Sequence, residues 1–164
     1  MKILFTTYYY QGDSRKLCHL VKDGDEEAIR IMAERMCQLV PSDSILVPIP
    51  SRYGYATSTL RLADGIARLT GTPVADILKG SNRESNYLAK KQGHPLHVED
   101  MGFHKTGDID LTPCFVDNVC DTGVTMKAAF DVFGRGLGLV YSKASRVSRD
   151  LFPKDGMIPC FCTD

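Results

Sequence analysis

The sequence has no tryptophan, no surplus of charge, no paired cysteines and no long apolar run, and each absence narrows what it can be. Lys and Arg number 20, as do Asp and Glu, for a formal net charge of +0. No overall field therefore draws the chain to nucleic acid or an anionic membrane, and neither is an expected partner. The six cysteines, Cys18, Cys37, Cys114, Cys120, Cys160 and Cys162, are scattered without a Cys-x-x-Cys spacing. A tetrahedral zinc site has little support on that pattern, and reduced, mostly buried thiols are expected. Cys160 and Cys162 with a stray histidine offer a metal pair, but a terminal strand or tail is the plainer account. No stretch nears the roughly 18 apolar residues of a membrane span, and the opening MKILFTTYYYQGD turns polar too early for a secretory signal, so the expected location is the cytoplasm. Neither G-x-x-x-x-G-K-[ST] nor a strand-borne G-x-G-x-x-G occurs, which removes two phosphate-binding fingerprints.

What is present fits one compact domain of 164 residues with 43% hydrophobic content. Ala28, Ile29, Met32, Ala33, Met36, Cys37 and Val40 recur at helical steps behind Asp25, Glu26 and Glu27, predicting a helix over 25–40. SILVPIPS reads as a buried strand ending near Pro50. A second helix is expected over 57–70, with Thr57 or Ser58 as cap and Gly71 as stop, and PVADIL resumes as strand. Residues 79–112 lack a sustained period, which suggests an arm or lid. CFVDNV, a helix over 124–133 closed by Gly134, and the strand LGLVYS follow. This order predicts an α/β fold with a mainly parallel central sheet flanked by helices.

In such sheets ligands bind at the carboxyl ends of the strands, where FVDNVCDTGVTM is expected to lie. There the chain passes through Asp121, Thr122, Gly123, Val124 and Thr125 into a helix, so backbone N–H groups and two hydroxyls converge on a positive helix terminus suited to phosphate. Asp117, farther back, suits a neutral polyol, and a ribose 5-phosphate satisfies both ends. The bland alternative makes Asp121 or Thr122 a helix cap and Asp117 a turn residue.

FVDNVCDTGVTM resembles the phosphoribosyl pyrophosphate (PRPP) loop of type I phosphoribosyltransferases: an apolar run, a pair of acids, three variable positions and Thr-Gly-x-Thr. Asn118 departs from that pattern by standing where the family has its second acid. YYYQGDSRKLCHLVKDGDEEA and ILVPIPSRYGYATSTLRLADGIARLTGTPV are similar in order and spacing to the competence-associated ComF-type branch. The resemblance covers about residues 8–142 and lacks the zinc-binding cysteines common in that branch. It implies a type I phosphoribosyltransferase fold with a small hood, from about residues 1–22 and the C-terminal tail, and an arm closing over the site.

The resemblance also implies roles. Ser51, Arg52, Tyr53 and Gly54 would face pyrophosphate, with the planar fork of Arg52 matching diphosphate oxygens unless it is merely a solvated charge. Arg83, Lys90 and Lys91 are candidate arm cations. Asp117, Asn118, Asp121, Thr122, Gly123, Val124 and Thr125 would hold the sugar phosphate. A diphosphate leaving group calls for Mg²⁺, with Asp117 the protein contact, directly or through water. In the 6-oxopurine branch an aspartate precedes the Thr-Gly as general base, a place that Asp121 matches, and Lys143 would then face the purine's exocyclic oxygen. Tyr8, Tyr9 and Tyr10 fit packing at a hood or dimer surface better than stacking on single-stranded nucleic acid. Two functions follow: phosphoribosyl transfer from PRPP to a nitrogen nucleophile such as a nucleobase, or PRPP or nucleotide sensing without turnover, which Asn118 favours.

Overall fold

The computed structural model describes residues 2–144. Its frame is a four-stranded sheet built from β1 (Lys2–Tyr9), β2 (Ser44–Pro48), β5 (Thr112–Cys120) and β6 (Leu137–Lys143), in the order β1-β6-β5-β2. All three strand pairs are parallel. Helices α1 (Gly12–Asp23), α2 (Glu26–Met36) and α3 (Ser58–Thr70) precede the arm, and α5 (Val124–Phe133) joins β5 to β6.

Alternation along the strands divides the core in two. Leu46, Cys114, Val116, Leu139 and Tyr141 face one side and pack on the apolar stripes of α1, α2 and α3, including Val21, Met32 and Ile66. Val47, Phe115 and Val140 face the other and pack on Met126 and Ala129 of α5. Burial on both sides explains why CFV and LGLV read as continuous apolar runs.

The expected helices form with their stops. Asp25 caps α2 by accepting from the Ala28 N–H at 2.8 Å. Gly71 closes α3 and Gly134 closes α5, both left-handed. Thr57 occupies the cap position of α3 but makes no side-chain cap bond. PVADIL is a strand only in part: Val74 forms a single parallel bridge to Leu46, with the Ala75 N–H donating to the Leu46 carbonyl at 2.8 Å.

The N-terminal segment corrects the expectation of a hood. Residues 2–9 form an edge strand in register with β6, and residues 12–23 form α1, which buries Cys18 and Val21 against the sheet. Tyr8 stacks on the buried Tyr141 at 5.0 Å, beneath the guanidinium of Arg35. That pairing, unreadable from local sequence, draws the segment inward. The C-terminal tail, with Cys160 and Cys162, lies outside the described residues.

The arm contains β3 (Leu78–Lys79), α4 (Asn86–Lys91) and β4 (His104–Lys105), with β3 and β4 pairing antiparallel. Leu78 and Phe103 tie it to the α5 side of the core.

Candidate functional site at the carboxyl edge of the sheet

Parallel strands place their carboxyl ends along one edge, and the expected site residues gather there. Lys143 pairs in register with both Cys120 and Tyr9. The backbone laces these ends together, the Ala144 N–H donating to Cys120 and the Tyr10 N–H to Lys143, each at 2.9 Å. On the other flank Pro48 pairs with Val116, and the Ile49 N–H donates to the Val116 carbonyl at 3.1 Å, so the loop after β2 rises beside Asp117.

The turn from β5 into α5 is built on a glycine. Gly123 is the N-cap residue with φ 88° and ψ −5°, a left-handed conformation that disfavours a side chain. No side chain caps the helix closely among the described residues: Thr122 Oγ1 lies a long 3.5 Å from the Val124 N–H. The first-turn amides of α5 are therefore left to a ligand or solvent.

Asp121 does not cap that helix. It is ion-paired with Lys90 of α4, which lays the arm across the turn while both side chains remain partly exposed, 36% and 26%. Lys91 is exposed.

Asp117 is half-buried, and its Oδ1 accepts from the Asn118 N–H at 2.8 Å. Burial pushes its carboxyl up to about 6, against the opposing pull of Lys22, the Asn118 and Val119 amides and Arg83. Asn118 lies deeper than Asp117. It is 3% exposed, and its Nδ2 donates to the Cys18 carbonyl of α1 at 3.2 Å, while its own carbonyl accepts from Ser142 Oγ at 3.2 Å. Its side-chain N–H group is thus engaged with α1, which leaves only the Oδ1 of the amide for the sugar contact expected of it.

The loop at 51–54 is tight and fastened to the arm. The Ser51 N–H donates to Tyr55 at 2.9 Å and the Gly54 N–H to Ser51 at 3.1 Å. Gly80 and Arg83 donate backbone N–H bonds to Gly54 and Arg52 at 2.8 and 2.9 Å. Gly54 has φ 89°, and a Cβ there would meet the Gly80 carbonyl oxygen at 2.3 Å. Arg52 donates to the Tyr53 hydroxyl at 2.6 Å, with its guanidinium 4.7 Å from the ring centroid.

Arg83 is the arm cation that the structure brings closest to the loop. Its Nη1 donates to the Ser51 carbonyl at 3.1 Å, its guanidinium lies 5.6 Å from the Phe103 ring, and burial lowers its pKa. No sequence pattern marked it above its neighbours. An open cavity of about 560 Å³ lies within the arm rather than over the turn, and Arg83 and Ala89 form part of its wall.

Burial pushes the Cys120 thiol up to about 12, which disfavours its thiolate. Among the described residues no three His, Cys, Asp or Glu side chains cluster to hold a metal, and no helix is long and apolar enough to cross a membrane.

No protein-family model matches the chain, and no curated protein does. Among solved structures it is similar to Leishmania donovani UMP synthase, with 16% identity and a TM-score of 0.42, covering 77% of this chain and 23% of that one. It is also similar to the Thermus thermophilus protein TT1426, with 15% identity and a TM-score of 0.44, covering 79% and 83% of the two chains. The chain thus spans under a quarter of the UMP synthase. Similarity at this level assigns neither substrate nor reaction.

Proposed function

We propose that the protein transfers the 5-phosphoribosyl group from PRPP to a nitrogen nucleophile, a nucleobase, releasing pyrophosphate. One observation carries this reading: a glycine turn with uncapped helix amides, a half-buried carboxylate and a loop backed by a half-buried guanidinium share one edge of a parallel sheet. Each matches one part of PRPP. The amides of α5 and the hydroxyls of Thr122 and Thr125 would take the 5-phosphate. Asp117 would take the ribose hydroxyls. The amides at 51–54, with Arg52, Arg83 and the arm lysines Lys90 and Lys91, would take the diphosphate.

In the reaction the bond from the anomeric carbon to diphosphate oxygen breaks, the electron pair leaves with diphosphate, and a carbon–nitrogen bond forms. The nitrogen's proton passes to a base. Positive charge develops on the sugar ring, so the chain's task is to neutralise the leaving group and fix the acceptor. Magnesium, when bound, would offset diphosphate charge. Asp117 fits it as a single carboxylate, with substrate oxygens supplying the other ligands. Asp121 as general base toward a 6-oxopurine, with Lys143 on the exocyclic oxygen, requires Lys90 to move first, because its ammonium occupies the carboxylate.

A second reading, a PRPP or nucleotide sensor of ComF type without turnover, draws support from Asn118: with its amide buried, the site has one acid where the family has two. Pyrophosphate release from PRPP and Mg²⁺ with a panel of bases separates the two, since binding without release for any base favours the sensor. Thr122→Ala and Thr125→Val should each weaken ribose 5-phosphate binding by about 1–3 kcal/mol. Unchanged affinity in both would remove the phosphate assignment.

A further inference from the structure

We infer that Tyr9, at the carboxyl end of β1, is the surface on which the planar acceptor stacks. The inference rests on the proposed transfer reaction and gives the acceptor a place.

Three observations converge on it. First, Arg52 and Arg83 sit at the loop after β2, on the β2 flank of Asp117, which on the proposed reaction is the side of the anionic leaving group. A nucleophile that enters opposite the leaving group then approaches from the β6 and β1 flank. Second, register brings Tyr9 beside Lys143 and Lys143 beside Cys120, the residue before the turn. Two strand spacings, about 10 Å, separate Tyr9 from the phosphate turn, a span bridged by a sugar phosphate carrying a ring. Third, the neighbouring tyrosines are engaged and Tyr9 is open. Tyr8 is stacked on Tyr141, and the Tyr10 hydroxyl lies 3.2 Å from His19 Nε2 with Arg15 over its ring. Tyr9 is 56% exposed. With residues 2–9 in the sheet instead of a hood, this edge strand presents an aromatic face beside the reacting centre.

The test compares ligands with and without a base. Dissociation constants are measured by calorimetry for ribose 5-phosphate, AMP, GMP and UMP on the wild type, Tyr9→Ala, Tyr9→Phe and Tyr55→Ala. Tyr55 is as exposed, 53%, but lies on the loop after β2. At least one nucleotide should bind the wild type more tightly than ribose 5-phosphate does. In Tyr9→Ala that nucleotide should lose about five- to tenfold, with ribose 5-phosphate changed by less than about twofold. Tyr9→Phe should retain the preference, and Tyr55→Ala should leave it unaltered. A parallel loss of both ligand types, no loss in Tyr9→Ala, or no nucleotide preference in the wild type would overturn the stacking role while ribose 5-phosphate binding keeps the transfer reaction standing. Failure of ribose 5-phosphate to bind the wild type would sink the proposed function, and this inference with it.

Discussion

Replacing Asn118 by aspartate would give the stretch FVDNVCDTGVTM the acid pair of the family loop it resembles, yet the structure predicts that the change damages the protein. Asn118 is 3% exposed, and its Nδ2 sits 3.2 Å from the Cys18 carbonyl oxygen. Aspartate removes that donor, a loss of about 1 kcal/mol, and sets a carboxylate oxygen against a carbonyl oxygen. Asp117 next to it supplies a yardstick: with a half-buried position and two backbone donors, its carboxyl already rises from 3.8 to about 6. A deeper carboxyl beside that charge is held at least as high, and a rise of that size corresponds to about 3 kcal/mol. The total deficit in neutral solution is therefore about 3–4 kcal/mol.

The sign with pH is fixed by the same reasoning. A carboxyl whose folded pKa is raised keeps its proton in the folded state after the unfolded chain has lost it, so the deficit is small below about pH 4 and grows until pH exceeds the folded value. Urea denaturation of Asn118→Asp and wild type at pH 4, 6 and 8 checks this. A deficit below about 1 kcal/mol at pH 8, or one independent of pH, would refute the burial argument. Higher turnover in a stable variant would mean that position 118 faces the ligand after all.

Two further perturbations separate stability from binding. Asp117→Asn removes a carboxyl raised to about 6, whose penalty in the wild type develops as pH climbs from about 4 through 6; the variant should be more stable than wild type by about 2–3 kcal/mol at pH 8 and little different at pH 4, while PRPP affinity with Mg²⁺ falls, as thermal melts and calorimetry would show. Gly54→Ala puts a Cβ 2.3 Å from the Gly80 carbonyl oxygen at φ 89°, so the loop and arm root must part; a loss of about 2–3 kcal/mol and faster protease cleavage within residues 79–112 are expected, and an arm cleaved at the wild-type rate would contradict the contact.

The parts of the fold that sequence disclosed are those whose pattern is set by the core itself. The stripe Ile29, Met32, Ala33, Met36 and the runs CFV and LGLV are apolar because they face α/β layers, and the stops Gly71 and Gly134 are glycines because the chain turns left-handed there. The glycine turn into α5 was legible for the same reason, since Gly123 answers a backbone requirement. Partnership in space was not legible. KILFTTYY acquires strand character from β6, 135 residues away in the Thr6 to Tyr141 hydrogen bond, and α1 earns its place by covering Asn118 and Ser142 with Cys18. PVADIL has strand propensity, but β2 gives it only the bridge at Val74.

The charges left unmatched at the sheet edge are the features that core packing does not explain. Asp117 lies within electrostatic reach of Lys22 and Arg83, yet among the described residues neither closes an ion pair with it. The half-buried guanidinium of Arg83 donates, among the described residues, only to the Ser51 and Ser81 carbonyls. Each arrangement is a standing loss of stability, a carboxylate and a guanidinium partly stripped of water without a counter-charge in contact. Asp121, by contrast, is ion-paired with Lys90. On the transfer reading a single ligand resolves all three: its hydroxyls and bound cation meet Asp117, its diphosphate meets Arg83, and the same anion competes with Asp121 for Lys90. On that reading ligand binding would release the Asp121 carboxylate as the charge of Lys90 moves to the leaving group, so that a general base there would be freed only when substrate is in place.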